Sequence, residues 1–80
     1  SSRLTIFPNP SSQQLNIQLS SVPKNGQLII YNELGQLQKI YSNINSRTAS
    51  FDITSFSNGQ YMAVLRDGDR TIATKFLITK

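Results

Sequence analysis

The 80-residue sequence predicts an all-β fold, a sandwich of about seven short antiparallel strands. Three observations lead there. Apolar residues recur with a period of two rather than 3.6. Turn-forming clusters separate these runs at roughly 8–12-residue spacing. No segment carries the face pattern of a helix.

The first run alternates through Leu4 and Ile6 and stops at Pro8-Asn9-Pro10. Both prolines fix φ and lack an N–H, and each pushes the residue before it, Phe7 or Asn9, toward extended geometry. The result is a stiff corner that cannot continue a ladder. Leu15, Ile17 and Leu19 form the second run, closed by "SSVPKNG", and Leu28 and Ile30 form the third, closed by "NELG". Ile40 and Tyr41 follow "GQLQ" as a fourth, with "SNINS" as the next turn. Phe51 and Ile53 make a fifth before "TSFSNG", and Tyr61, Ala63 and Leu65 a sixth before "DGD". The last run puts Ile72, Thr74, Phe76 and Ile78 on one side, and Thr71, Ala73, Lys75 and Leu77 on the other. Asp67-Gly68-Asp69 and Asn25-Gly26 are hairpin or turn signals.

One stretch narrows the topology. In "FSNGQY", Phe56 to Tyr61, the spacing resembles the tyrosine corner of Greek-key, immunoglobulin-like sandwiches. Gly59 would supply the tight turn, and the Tyr61 hydroxyl would satisfy a backbone group a few residues upstream. An exposed, sugar-stacking Tyr61 is the functional alternative.

Composition sets the limits. A chain this short buries roughly 60–65% of its unfolded surface, so its margin is thin. It has no cysteine, hence no disulfide or thiolate metal site to reinforce it. The net charge is +4, from eight Lys/Arg against four Asp/Glu. The cations are scattered along the sequence with a looser group toward the C-terminus, which argues against a nucleic-acid partner. No run approaches the roughly 18 apolar residues of a membrane helix. No secretory signal sequence opens the chain, and Ser1-Ser2 reads as the cut end of a longer chain.

Histidine and cysteine are both absent, which removes the commonest general base and the strongest nucleophile. The carboxylates Glu33, Asp52, Asp67 and Asp69 fall mostly in or beside turns, and their expected role there is turn formation and solvation. Asp67 and Asp69 alone lack the ligand count of a calcium loop. The expectation is a protein without catalytic residues, metal or cofactor. The last strand draws more interest, since its edge or tail can be read by a partner. Lys75 and Lys80 would present charge there, a device that also discourages aggregation at an edge.

The order of pieces carries a further signal. "FPNPSS", "LNIQL", "IIYNELGQL", "FDITSFSNGQYMAVLRDG" and the closing "TIATKFLITK" together resemble the type A C-terminal sorting domain of the Bacteroidetes type IX secretion system. The resemblance runs from about Leu4 to Lys80. It implies a seven-stranded immunoglobulin-like sandwich at the C-terminus of a large secreted cargo protein. It implies passage from the periplasm through an outer-membrane translocon with its shuttle proteins, ending at the cell surface or in the medium. A sortase-like surface peptidase usually removes such a domain and joins the cargo to anionic lipopolysaccharide. The whole of 1–80 is then one sorting domain, with 1–3 a remnant of linker.

Carried onto this sequence, the resemblance places signal motifs at Pro8-Asn9-Pro10, at Asn32, Leu34 and Gly35, at Gly59 and Tyr61, and at Lys75, Phe76 and Lys80. Met62 stands where members often have an aromatic residue. The cleavage point would precede Leu4, and the proline corner would separate the first strand from the body of the sandwich. Edge strands offer a route to a homodimer. The alternative reading is an adhesion or carbohydrate-binding module, for which Phe7, Tyr31 and Tyr41 are the residues to form an exposed aromatic row.

Overall fold

The computed structural model describes residues 3–7 and 13–79; Pro8, Asn9, Pro10 and Lys80 lie outside the described residues. Seven strands follow one another: β1 (Leu4–Phe7), β2 (Gln14–Leu19), β3 (Gly26–Asn32), β4 (Leu37–Ile44), β5 (Thr48–Asp52), β6 (Gly59–Asp67) and β7 (Arg70–Ile78). They form two antiparallel sheets, β1-β2-β5 and β4-β3-β6-β7. The chain changes sheet between β2 and β3, β4 and β5, and β5 and β6. This is the immunoglobulin-like sandwich, and the described residues contain no helix.

Strand alternation builds the core. Leu15, Ile17 and Leu19 of β2 face Leu28 and Ile30 of β3, Ala63 and Leu65 of β6, and Phe76 and Ile78 of β7, all buried. Leu4, Ile44, Ile53 and Tyr61 complete the cluster. Pairing fixes the phase: Leu4 sits across from Leu19 and Ile6 from Ile17. A one-residue slip would turn either set out to water. Ile30 is fully buried.

Asn25-Gly26 is not a hairpin. It ends the connection that crosses from β2 to β3, and Gly26 already pairs with Ile44. A Cβ on Gly26 would meet the Ile44 carbonyl oxygen at 3.2 Å and the Pro23 Cβ at 3.3 Å, so close approach, not turn geometry, calls for glycine. The fourth strand also runs further than the "SNINS" turn signal predicts. Between the Gly26–Ile44 and Leu28–Tyr41 pairs, β3 advances two residues and β4 three. The extra residue forms a bulge at Asn43, whose φ is 61°. The bulge shifts the alternation and buries Ile44, which a strict period of two cannot find.

Tyr41 closes the open side of the core, its ring 4.3 Å from that of Phe51. Its hydroxyl donates to the Asp52 carbonyl at 3.4 Å. Burial, and then the Asp52 charge, raise its pKa above the ordinary tyrosine value. The neutral form is thus favoured in the folded state. Its contribution is intact below about pH 10 and is lost as pH rises through the raised value.

Two outcomes follow. Ile30→Ala removes a fully buried side chain and should cost about 2–5 kcal/mol, much of the roughly 4–12 kcal/mol open to a domain this size. Urea unfolding should show a large drop in midpoint. Tyr41→Phe should be less alkali-sensitive than the parent above about pH 10, read as the difference between their unfolding midpoints with pH.

Candidate functional site

The residues singled out in the sequence lie far apart along the chain, yet several converge. Asn32 ends β3 and organises the hairpin to β4. Its Oδ1 accepts the backbone N–H of Leu34 at 3.0 Å and of Gln36 at 2.9 Å. Its Nδ2 donates to Gln36 Oε1 at 2.9 Å. Gly35 N–H bonds back to the Asn32 carbonyl, and the Asn32 N–H to the Gln36 carbonyl. Gly35 has φ 82°, where glycine is favoured. This is a tight turn followed by a glycine bulge, and it leaves Leu34 at the tip, 78% exposed.

Tyr61 sits on β6 opposite Asn32. Its hydroxyl donates to the Ser57 carbonyl at 2.7 Å, which makes the tyrosine corner. Its ring lies between those of Phe56, at 5.5 Å, and Phe76, at 5.7 Å. Gly59, two residues earlier, has φ 149°. Tyr61 is 6% exposed, so it is no sugar-stacking platform. Phe76 pairs with Tyr61 and points inward, while Lys75 pairs with Met62 and points outward.

Four of these positions, Asn32, Gly35, Tyr61 and Lys75, line one groove of about 250 Å³, whereas Leu34, Gly59 and Phe76 lie outside its lining. Glu33 and Gly35 of the turn stand on one side and Lys75 of β7 on the other, with Tyr31, Met62 and Tyr61 along it. The groove continues into an outer sheet face that is apolar. Register places Ile40, Ile29, Val64 and Ala73 in one row across β4, β3, β6 and β7. Leu37, Tyr31, Met62 and Lys75 form the next. Leu37 is 54% exposed and Ile40 45%, whereas Ile29, hemmed in by its neighbours, is only 6% exposed. Alternation does not reveal this face, because Leu28 and Ile30 satisfy it and leave Ile29 unassigned.

Among the described strands β7 is paired with β6, from Arg70 to Ile78 without a register shift. Its outward residues Thr71, Ala73, Lys75 and Leu77 are exposed. The other edges are shorter or bulged: β1 has four residues, β5 five, and β4 two register shifts. β7 is the longest regular edge among the described strands.

The aromatic row is missing. Phe7 lies on the outward face of the three-stranded sheet opposite Asn16, Tyr31 lies on the other sheet, and Tyr41 is turned toward Phe51 and the core. Two of the four carboxylates accept backbone N–H groups: Asp52 Oδ1 that of Thr54 at 3.0 Å, and Asp67 Oδ1 that of Lys24 at 3.3 Å. Among the described residues, no group of three or more His, Cys, Asp or Glu side chains is placed to hold a metal.

A small sandwich with a long regular edge strand among the described residues and an adjoining groove has the form of a recognition module. Its family follows from comparison with known sequences: residues 5–79 match the secretion system C-terminal sorting domain, and the chain belongs to that family. The domain is thus a C-terminal type IX sorting signal that acts with the type IX secretion machinery. A tail of this kind implies export across the outer membrane to the cell surface or the medium. The family is a sorting-signal family rather than an enzymatic one. No curated protein matches the chain.

Asn32→Ala removes the one Oδ1 that accepts both backbone N–H bonds and should destabilise the hairpin by about 1 kcal/mol. Asn32→Asp keeps that acceptor and should cost less, by urea unfolding. Tyr61→Phe should cost about 1 kcal/mol through the lost hydroxyl, leaving the aromatic stack in place by near-ultraviolet circular dichroism.

Proposed function

We propose that the translocon reads the domain as a folded surface: the outward side of β7 together with the groove beside it. In this reading the domain directs a folded cargo protein, joined ahead of it, out of the periplasm through the type IX translocon. Shuttle proteins of the outer membrane receive it. A sortase-like surface peptidase then cuts ahead of Leu4, and the cargo is attached to the cell surface or released. The domain binds and is not catalytic, and 1–80 act as one unit with 1–3 as linker remnant.

Each signal residue takes a role. Asn32 and Gly35 shape the groove wall and present Leu34. Gly59 and Tyr61 fix β6, Phe76 anchors β7 from inside, and Lys75 offers charge outside. Pro8, Asn9, Pro10 and Lys80 keep the signal roles that the resemblance gives them. The observation that supports this reading best is that Asn32, Gly35, Tyr61 and Lys75 line one groove beside the longest regular edge among the described strands. Such an edge takes an added strand through backbone hydrogen bonds, with neighbouring pockets supplying selectivity. The same edge would serve a homodimer paired through β7.

The test is a secretion assay. Leu4–Lys80 is fused behind a reporter carrying a periplasmic signal peptide, in a Bacteroidetes strain with a working type IX system. Truncation at Arg70 is a poor variant, because it strips Phe76 and Ile78 from the core. Lys75→Glu with Leu77→Glu alters exposed residues only. The intact fusion should reach the surface or medium, while the double variant, folded by circular dichroism, should stay in the periplasm. Undiminished export of the folded double variant would move recognition away from β7.

A further inference from the structure

The cations that are scattered along the sequence are gathered by the fold. All strands are antiparallel, so β1, β5 and β7 begin at the same end of the sandwich where β2, β4 and β6 finish. Arg3 precedes β1, and its N–H donates to Ser20 Oγ just beyond β2. The Arg47 carbonyl accepts the Leu19 N–H at 2.7 Å. Lys24 is held to Asp67 through its backbone N–H. Arg66 and Arg70 flank the β6–β7 hairpin, and Arg3, Asp67 and Arg70 line one small cleft. Five of the eight cations, Arg3, Lys24, Arg47, Arg66 and Arg70, therefore stand at one pole, all exposed. Asp67 and Asp69 are the carboxylates there, so this pole holds a net +3 of the chain's +4. Glu33 and Asp52 lie toward the opposite pole, at the β3–β4 turn and the end of β5.

We infer that this basic pole is a docking face for an anionic, phosphate-bearing lipid surface. Three features favour lipid over an acidic protein. The cations come from four separate segments and ring the end of the sandwich, which suits a broad, laterally mobile field of charge better than a shaped epitope. Four of the five are arginines, whose planar donors engage phosphate oxygens in pairs. Among the described residues the pole has none of the aromatic anchors that dominate protein hot spots, while Val22, 58% exposed in the β2–β3 connection, offers an apolar side chain among the charges. Any polypeptide joined ahead of Arg3 leaves the sandwich at this pole. Lipid contact would hold that junction at the membrane surface while β7 runs away toward the other end. The inference is independent of which strand the translocon reads.

The test is co-sedimentation of the full chain with phosphatidylcholine vesicles, with and without about one third phosphatidylglycerol. Binding should need the anionic lipid and collapse at about 0.3 M salt, where the Debye length is a few ångströms. Lys24→Gln with Arg66→Gln should weaken it by about twentyfold, at roughly fivefold per cation. Lys39→Gln with Lys75→Gln removes the same charge from the middle of the sheet and should change binding by less than about threefold, since distance and salt screen it. Thermal unfolding checks that both pairs fold. Equal losses from the two pairs would mean that net charge alone acts and would overturn the pole. Absence of vesicle binding, with retention on soluble polyglutamate, would overturn the lipid assignment and point to an acidic protein instead.

Discussion

A single layer of apolar side chains between two sheets supplies nearly all the stability this chain can have. It has no disulfide, no metal cluster among the described residues and few residues to spend. Everything else is arranged around keeping that layer intact. Inward positions on β2, β3, β6 and β7 are committed to it, and Tyr61 stitches it together at one end. Its ring stacks on the last strand while its hydroxyl ties down the crossover between sheets. In the proposed reading, recognition is left to what faces outward. The division is sharpest on β7, where Phe76 and Ile78 hold the fold and Lys75 and Leu77 meet solvent.

That division explains how a domain can serve as a signal after it has folded. A linear signal needs an unfolded, accessible segment, whereas here the final strand is locked into a nine-pair ladder with β6. What the proposed reading uses is its outward side chains and the groove built by the β3–β4 turn. Natural sheets usually blunt an edge strand. β4 does so with bulges, and β1 and β5 by being short. On β7 the alternation offers one lysine as a guard.

Much of this was legible in the sequence, for physical reasons. The strands and their inward faces follow from period-two alternation, and the tyrosine corner follows from a fixed spacing of Phe56, Gly59 and Tyr61. The turn at Asn32 to Gly35 was visible because asparagine and glycine have few other uses in that order. What escaped were features set by register between distant strands. Ile44 is buried only because a bulge at Asn43 shifts β4 by one residue. The apolar outer face around Ile29 and the basic pole both arise when strands distant in sequence are laid side by side. Asn25-Gly26 looked like a turn because close packing and turn geometry select the same residue.

The central claim is that the machinery reads the β7 edge and its groove, and not the opposite sheet. Amide hydrogen exchange of the domain, alone and mixed with the purified outer-membrane component of the system, tests it most directly. New protection should appear along Thr71–Ile78, at Gln60–Met62 and in the Asn32–Gln36 turn. Protection confined to β1, β2 and β5, with β7 unchanged, would contradict the account.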